Sequence, residues 1–257
     1  MIRSLIDAKL RFNSRRIPVL KNTDIDAHAE ILLGDYDASL LSEPREVNID
    51  EFAEAYLGVS LHYLDLTHTG FIWGRMVFMD VVTFVYDRET GEPKKEPIDA
   101  NTIVIDNRLA EDPRKEHAYR STVAHEGGHF IYHWKYYHDY YFQTVNPDQL
   151  CLPFPEENHS CGCGTFCNSK LISGKGPKVL KTDTDWLEHQ AKHFSAAILM
   201  PATTVRMLLA EIKDQSKIVE VMSDIYNVSR ESAQIRLDYL LQNKNKMIED
   251  RNYAINY

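Results

Sequence analysis

The chain has 257 residues, 44% of them hydrophobic and 26% charged, an ordinary balance for a globular protein with a sizeable core. Its net charge of −9 argues against a surface devoted to nucleic acid, while leaving room for a local basic patch. No apolar run approaches the roughly 18 residues that a membrane-spanning helix needs, so no membrane partner is expected.

Residues 1–23 read as a basic arm. The stretch MIRSLIDAKLRFNSRRIPVL has no continuous apolar core and no small-residue cleavage site, so it does not resemble a secretory signal, and a cytoplasmic location is expected. From Asp24 to Leu33, Ile25, Ala29 and Leu32 recur at helical spacing behind acidic residues, which predicts a helix. A second short helix is predicted over Asn48 to Leu57, capped by Asn48 and stopped by Gly58. Val59 to Leu66 alternates partly, Phe71 to Met79 and Val81 to Tyr86 are rich in β-branched and aromatic residues, and all three predict strands. Arg88 to Pro93 is a turn, and Thr102 to Ile105 a short buried strand ending at Asp106-Asn107.

Asp112-Pro113 signals the next helix start. Val123, Gly127, Phe130 and Trp134 then share one stripe, and this helix is expected to run to about His133. The aromatic stretch from Phe130 to Phe142 reads as a packed helix end with tyrosines at the surface. Residues 143–181, rich in Pro, Gly, Asn and Cys, look like an insertion without periodicity. Helical patterning resumes at Thr182, with Leu187, Ala191, Phe194 and Ile198 in a stripe ended by Pro201. Further helices are expected at about 202–213 and 215–226, then from Ser229 to Leu241. The stretch from Ser223 to Leu240 resembles half of a helix-turn-helix, but Ile235, Leu237 and Leu240 are assigned to packing, and Glu231 and Asp238 speak against DNA contact. A polar tail occupies 242–257.

Two clusters carry chemistry. The first is STVAHEGGHFIYH, from Ser121 to His133. Histidines four apart on a helix stand one turn above each other, so His125 and His129 can aim at one ion. Glu126, rotated about 100° from His125, is placed to act on a water at that ion as general base. Two glycines inside a helix each cost roughly 1 kcal/mol against alanine, which points to a close backbone approach at that place. A catalytic zinc takes three protein ligands and an open position. Glu188 is the candidate third ligand, with the small residues Ala191 and Ser195 on its face letting that helix come near. His133, His189 and His193 are read as surface histidines or as supports for the ligands.

The second cluster is Cys151, Cys161, Cys163 and Cys167, the chain's full set of cysteines, with His159 nearby. With no export signal a disulfide framework is disfavoured, and four thiolates suit a closed structural zinc site that would also fold an insertion poor in apolar residues.

The first motif also carries a resemblance. Ala124-His125-Glu126-Gly127-Gly128-His129, followed by Glu188, Ala191, Phe194 and Leu199-Met200-Pro201 at fixed intervals, resembles the paired motifs of the ImmA/IrrE family of metallopeptidases. The strand ending Ile105-Asp106-Asn107, the N-terminal helix pair and the late Val228-Ser229…Arg236-Leu237…Leu240 segment also match. The resemblance implies His125, His129 and Glu188 as zinc ligands and Glu126 as the catalytic carboxylate. It departs at Lys192, where the family often has Asn or Asp, and Lys192 cannot accept a hydrogen bond from a ligating histidine.

The resulting expectation is an α+β fold, a small, mostly antiparallel sheet packed on a helical body that carries an HExxH zinc site. One metallopeptidase domain is expected over 24–241, with 143–181 as its cysteine-rich insertion. The expected function is zinc-dependent endopeptidase; by the resemblance, its substrate is a helix-turn-helix repressor in a mobile-element or stress regulatory system. Specific DNA binding is not expected. Two other classes stand beside this one: a metal-dependent sensor or protein-binding module with little turnover, and a DNA-binding regulator using the C-terminal helices.

Overall fold

A computed structural model describes residues 6, 10–68, 70–144, 167–168 and 182–243. Helix α1 (Asn22–Tyr36) is followed by a 3₁₀ turn, Ala38–Leu41. Helix α2 (Ile49–Glu51) starts where Asn48 Oδ1 accepts from Glu51 N, and widens into a π-helical stretch, Phe52–Leu57. Gly58 ends it with φ +72°, a left-handed conformation that glycine adopts without a Cβ clash. Strands β1 (Ser60–Leu64), β2 (Ile72–Val77), β3 (Val81–Tyr86), β4 (Pro93–Ile98) and β5 (Thr102–Asp106) follow. Helix α3 (Asn107–Ala110) is capped by Asp106, and a 3₁₀ turn capped by Asp112 leads into α4 (Glu116–Tyr132), then α5 (Trp134–Thr144). After the short strand β6 (Cys167–Asn168) come α6 (Asp183–Leu199), α7 (Ala202–Glu211), α8 (Ile218–Tyr226) and α9 (Arg230–Gln242), the last capped by Ser229.

The fold is α+β. The main sheet has the order β1-β5-β2-β6, and β3 and β4 form a separate antiparallel hairpin. β1 and β5 run parallel; the other pairings are antiparallel. The pairing of Gly74 with Cys167 makes a piece of the expected insertion part of the sheet. β5 is buried along its whole length, as expected of a central strand written TIVID.

The chain forms two compact units. The first comprises Met1–Leu20 and Asn48–Ser195. There β2 and β5 lie against α4, and a core of Leu66, Ile72, Val77, Val104, Tyr137 and Leu187 takes in Ile17 of the N-terminal arm. Two of the tyrosines expected at the surface are buried: Tyr132 meets Phe194 edge-on at 5.5 Å, and Tyr137 stacks on Phe78 at 4.9 Å. Apolar rings on neighbouring elements gave them partners that local periodicity does not reveal.

The second unit, Lys21–Val47 and Ala196–Tyr257, is helical over its described residues. Its centre holds the Arg236–Asp26 ion pair at 2.7 Å, both side chains 1% exposed, with Tyr239 also donating to Asp26. Leu237 and Leu240 are buried as expected, but Ile235 is 48% exposed. Ile235 stands next to buried Arg236, one step round the helix from it, so its side chain points to solvent. The tail from residue 244 lies outside the described residues, as do Cys151, His159, Cys161, Cys163 and the side chain of Cys167.

Candidate metal centre

The site is built where α4 and α6 cross. A Cβ on Gly128 would stand 3.0 Å from Ala191 Cα and within 3.2 Å of Phe194, so the crossing is as close as it is because Gly128 has no side chain. Ser195 Oγ ties the helices together by donating to Ser121 O at 3.0 Å. Gly127 faces elsewhere, toward Leu57. Strand β2 closes on the same helix from the sheet side: a Cβ on Gly74 would overlap Thr122 Cγ2 and lie 3.5 Å from Glu126 Cγ.

This packing brings His125, His129 and Glu188 together. His125 Nε2 and His129 Nε2 are 3.1 Å apart. Glu188 places Oε2 3.2 Å from His125 Nε2 and Oε1 3.5 Å from His129 Nε2. Donors about 2.1 Å from an ion at tetrahedral angles would lie roughly 3.4 Å from one another, so the three spacings suit a single small cation. Among the described residues this is the one group of three or more His, Cys, Asp or Glu side chains arranged to hold a metal ion. His129 is fully buried, while His125 and Glu188 keep 8% and 15% of their side chains exposed. Glu126 is fully buried on the neighbouring face of α4.

Around the donors a line of hydrogen bonds runs inward. His129 Nδ1 meets His133 Nδ1 at 2.8 Å; His133 Nε2 meets Gln190 Oε1 at 3.0 Å; Gln190 Nε2 donates to Pro18 O at 2.8 Å. His133 can reach back because α4 ends there: it sits at the C-cap, its N–H bonded to His129 O, and its ring turns onto His129. Burial lowers the His133 pKa to about 3, against a smaller upward pull from Gln190, and lowers that of His129 well below the usual value. Both imidazoles are therefore neutral, the form that ligates. Burial also depresses His125, but the hydrogen bond and charge of Glu188, with the charge of Glu126, outweigh it and raise its pKa.

The structure thus assembles His125, His129 and Glu188 and sets Glu126 beside them. His133 bonds His129, and the rings of His189 and His193, which lie 6.4 Å from each other along α6, are not part of the trio. Lys192 is exposed. Sequence reasoning missed Gln190 and Pro18. Only the spacing of His133, four residues after His129, hinted that the line existed. No protein-family model matches the chain, and no curated protein matches it. Fold and site together define an α+β protein with a His-His-Glu group that can hold a metal ion. Among the described residues no single helix is long and apolar enough to cross a membrane.

Proposed function

We propose that the chain is a zinc-dependent endopeptidase, acting in the cytoplasm on a helix-turn-helix repressor as its resemblance to the ImmA/IrrE metallopeptidases implies. The observation that carries the reading is the convergence of His125, His129 and Glu188, with the buried Glu126 carboxylate next in sequence to the first histidine. Two imidazole nitrogens and one carboxylate are the donor set of a catalytic zinc with an open position. Bound there, zinc would polarise a peptide carbonyl and make water nucleophilic near neutral pH.

The protein's own residues do the rest. His125 and His129 present Nε2 from successive turns of one helix, and Glu188 supplies charge from the other. Glu126, rotated about 100° from His125 around the helix, would take a proton from the attacking water and return it to the leaving amine. Its burial keeps bulk water from competing for that proton.

The test is Glu126→Gln. Zinc content should equal that of the unaltered protein, and cleavage of a repressor substrate should fall about 10²- to 10⁴-fold. Undiminished proteolysis would remove Glu126 from the mechanism, and an absence of zinc from the purified unaltered protein would remove the metallopeptidase reading.

A further inference from the structure

We infer that His133 and Gln190 are positioning residues which hold His129 in the tautomer whose Nε2 lone pair faces the metal centre, and that the anchor of this relay is the Pro18 carbonyl in the N-terminal arm. The inference rests on the metal reading above for its consequence, though not for its geometry.

The far end of the line fixes the rest. A carbonyl oxygen only accepts, so the Gln190 amide must turn its NH₂ to Pro18 O. That leaves Gln190 Oε1 facing His133 Nε2, which must carry the proton and donate it. A neutral imidazole has one N–H, so His133 Nδ1 is an acceptor. His129 Nδ1 must then donate to it, and His129 Nε2 is left bare, 3.1 Å from His125 Nε2 and 3.5 Å from Glu188 Oε1. With both rings neutral, any other placement of the protons sets two acceptors face to face somewhere along the line. His129 and His133 are fully buried and Gln190 is 1% exposed, so such a conflict would stay within the protein, where an unsatisfied polar group is costly. Outer partners of this kind fix a ligating ring's tautomer and orientation.

The anchor is itself built. Asn13 Oδ1 accepts from Arg15 N at 2.9 Å and Ile17 N at 3.0 Å, and Phe12 bridges to Pro18, which makes a tight turn of the arm. Arg15 bonds Asp183 on α6 at 2.7 Å, and Lys135 on α5 lies 4.2 Å from the Phe12 ring centroid. The arm therefore docks on both helices that flank the relay, and Pro18 O is held in place. The arm thus becomes a working part of the metal centre, although it lies more than a hundred residues from the motif in sequence.

The experiment reads the apo protein first. Nitrogen NMR of the imidazole rings should find the His129 proton on Nδ1 and the His133 proton on Nε2. Zinc titration against a competing chelator follows, on the full chain and on Gln190→Met, His133→Leu and His133→Asn. The Asn side chain keeps an acceptor where His133 has Nδ1; the Leu side chain fills the space without one. Gln190→Met and His133→Leu should spread the His129 proton over both ring nitrogens and weaken zinc binding about 10- to 100-fold. His133→Asn should recover most of that loss. A purely packing role for His133 predicts the opposite order, Leu tolerated and Asn worse. A His129 proton on Nε2 in the unaltered protein overturns the relay whatever the metal does. With the proton on Nδ1 but no zinc bound, the relay stands and the metal reading fails.

Discussion

In the helical unit, the Tyr226 hydroxyl donates to Thr204 Oγ1 at 2.9 Å with its ring fully buried. Burial raises its pKa to about 12, against smaller opposing pulls from Thr204 and Arg236. The unfolded phenol ionises near 10, so the folded state holds its proton longer. This contribution to stability is complete below pH 10 and is lost as the pH climbs through 12, an effect on the order of 2 kcal/mol. Tyr226→Phe should cost about 1 kcal/mol at neutral pH, through the lost hydrogen bond, and flatten the decline between pH 10 and 12. Urea midpoints measured across that range check it; an unchanged slope would assign the alkaline loss to other groups. Burial likewise holds His129 and His133 neutral, and the neighbouring imidazoles push the same way.

Between elements, the close approach of α4 and α6 decides whether the candidate ligands meet. The two central glycines look alike in sequence but not in surroundings. A methyl group at Gly128 meets Ala191 Cα at 3.0 Å, while one at Gly127 meets only the Leu57 Cδ1 tip at 3.4 Å. Gly128→Ala should push the helices apart, with an overpacking cost of about 1–3 kcal/mol partly offset by about 1 kcal/mol of helix propensity. Glu188 would then stand farther from the histidines, and zinc binding should weaken. Gly127→Ala should leave zinc binding alone and be neutral or stabilising by up to about 1 kcal/mol. Thermal melts and zinc titrations of both variants make the comparison; equal zinc affinities would show that the close approach is not what assembles the site. Elements also mark where sequence patterning was silent. β4 reads PKKEPI, with two prolines and three charges, and still forms a strand because, among the described residues, it pairs with β3 alone and prolines are tolerated on such an edge strand.

For the whole molecule, metal content is the informative measurement. If the four cysteines hold a structural zinc, the purified chain carries about two zinc ions, and Cys161→Ser with Cys163→Ser lowers the count to one. Glu188→Ala should remove the other and abolish cleavage. A single zinc with all cysteines intact would leave the His-His-Glu centre as the chain's metal site and return the insertion to another role. Part of that insertion already has one, since β6 pairs with β2 beside the strand position that faces Glu126.

The helices, the central strands and the candidate ligands could be read in sequence because each has a local physical signature. Asn48, Asp112 and Ser229 announce helix starts, TIVID announces a buried strand, and histidines four apart on a helix must share a face. Glu188 was legible as a candidate from its neighbours, Ala191 and Ser195, whose small size allows an approach. What the sequence could not decide is which buried groups would face each other. Tyr132 and Tyr137 went inward because rings on other elements waited there. The equivalence of Gly127 and Gly128 was broken only by where α6 lies. The line from His129 to Pro18 joins segments 57 and 172 residues apart at two of its links. Hydrogen-bond partners that distant have no period and no composition to betray them; they exist only once packing has fixed the backbone.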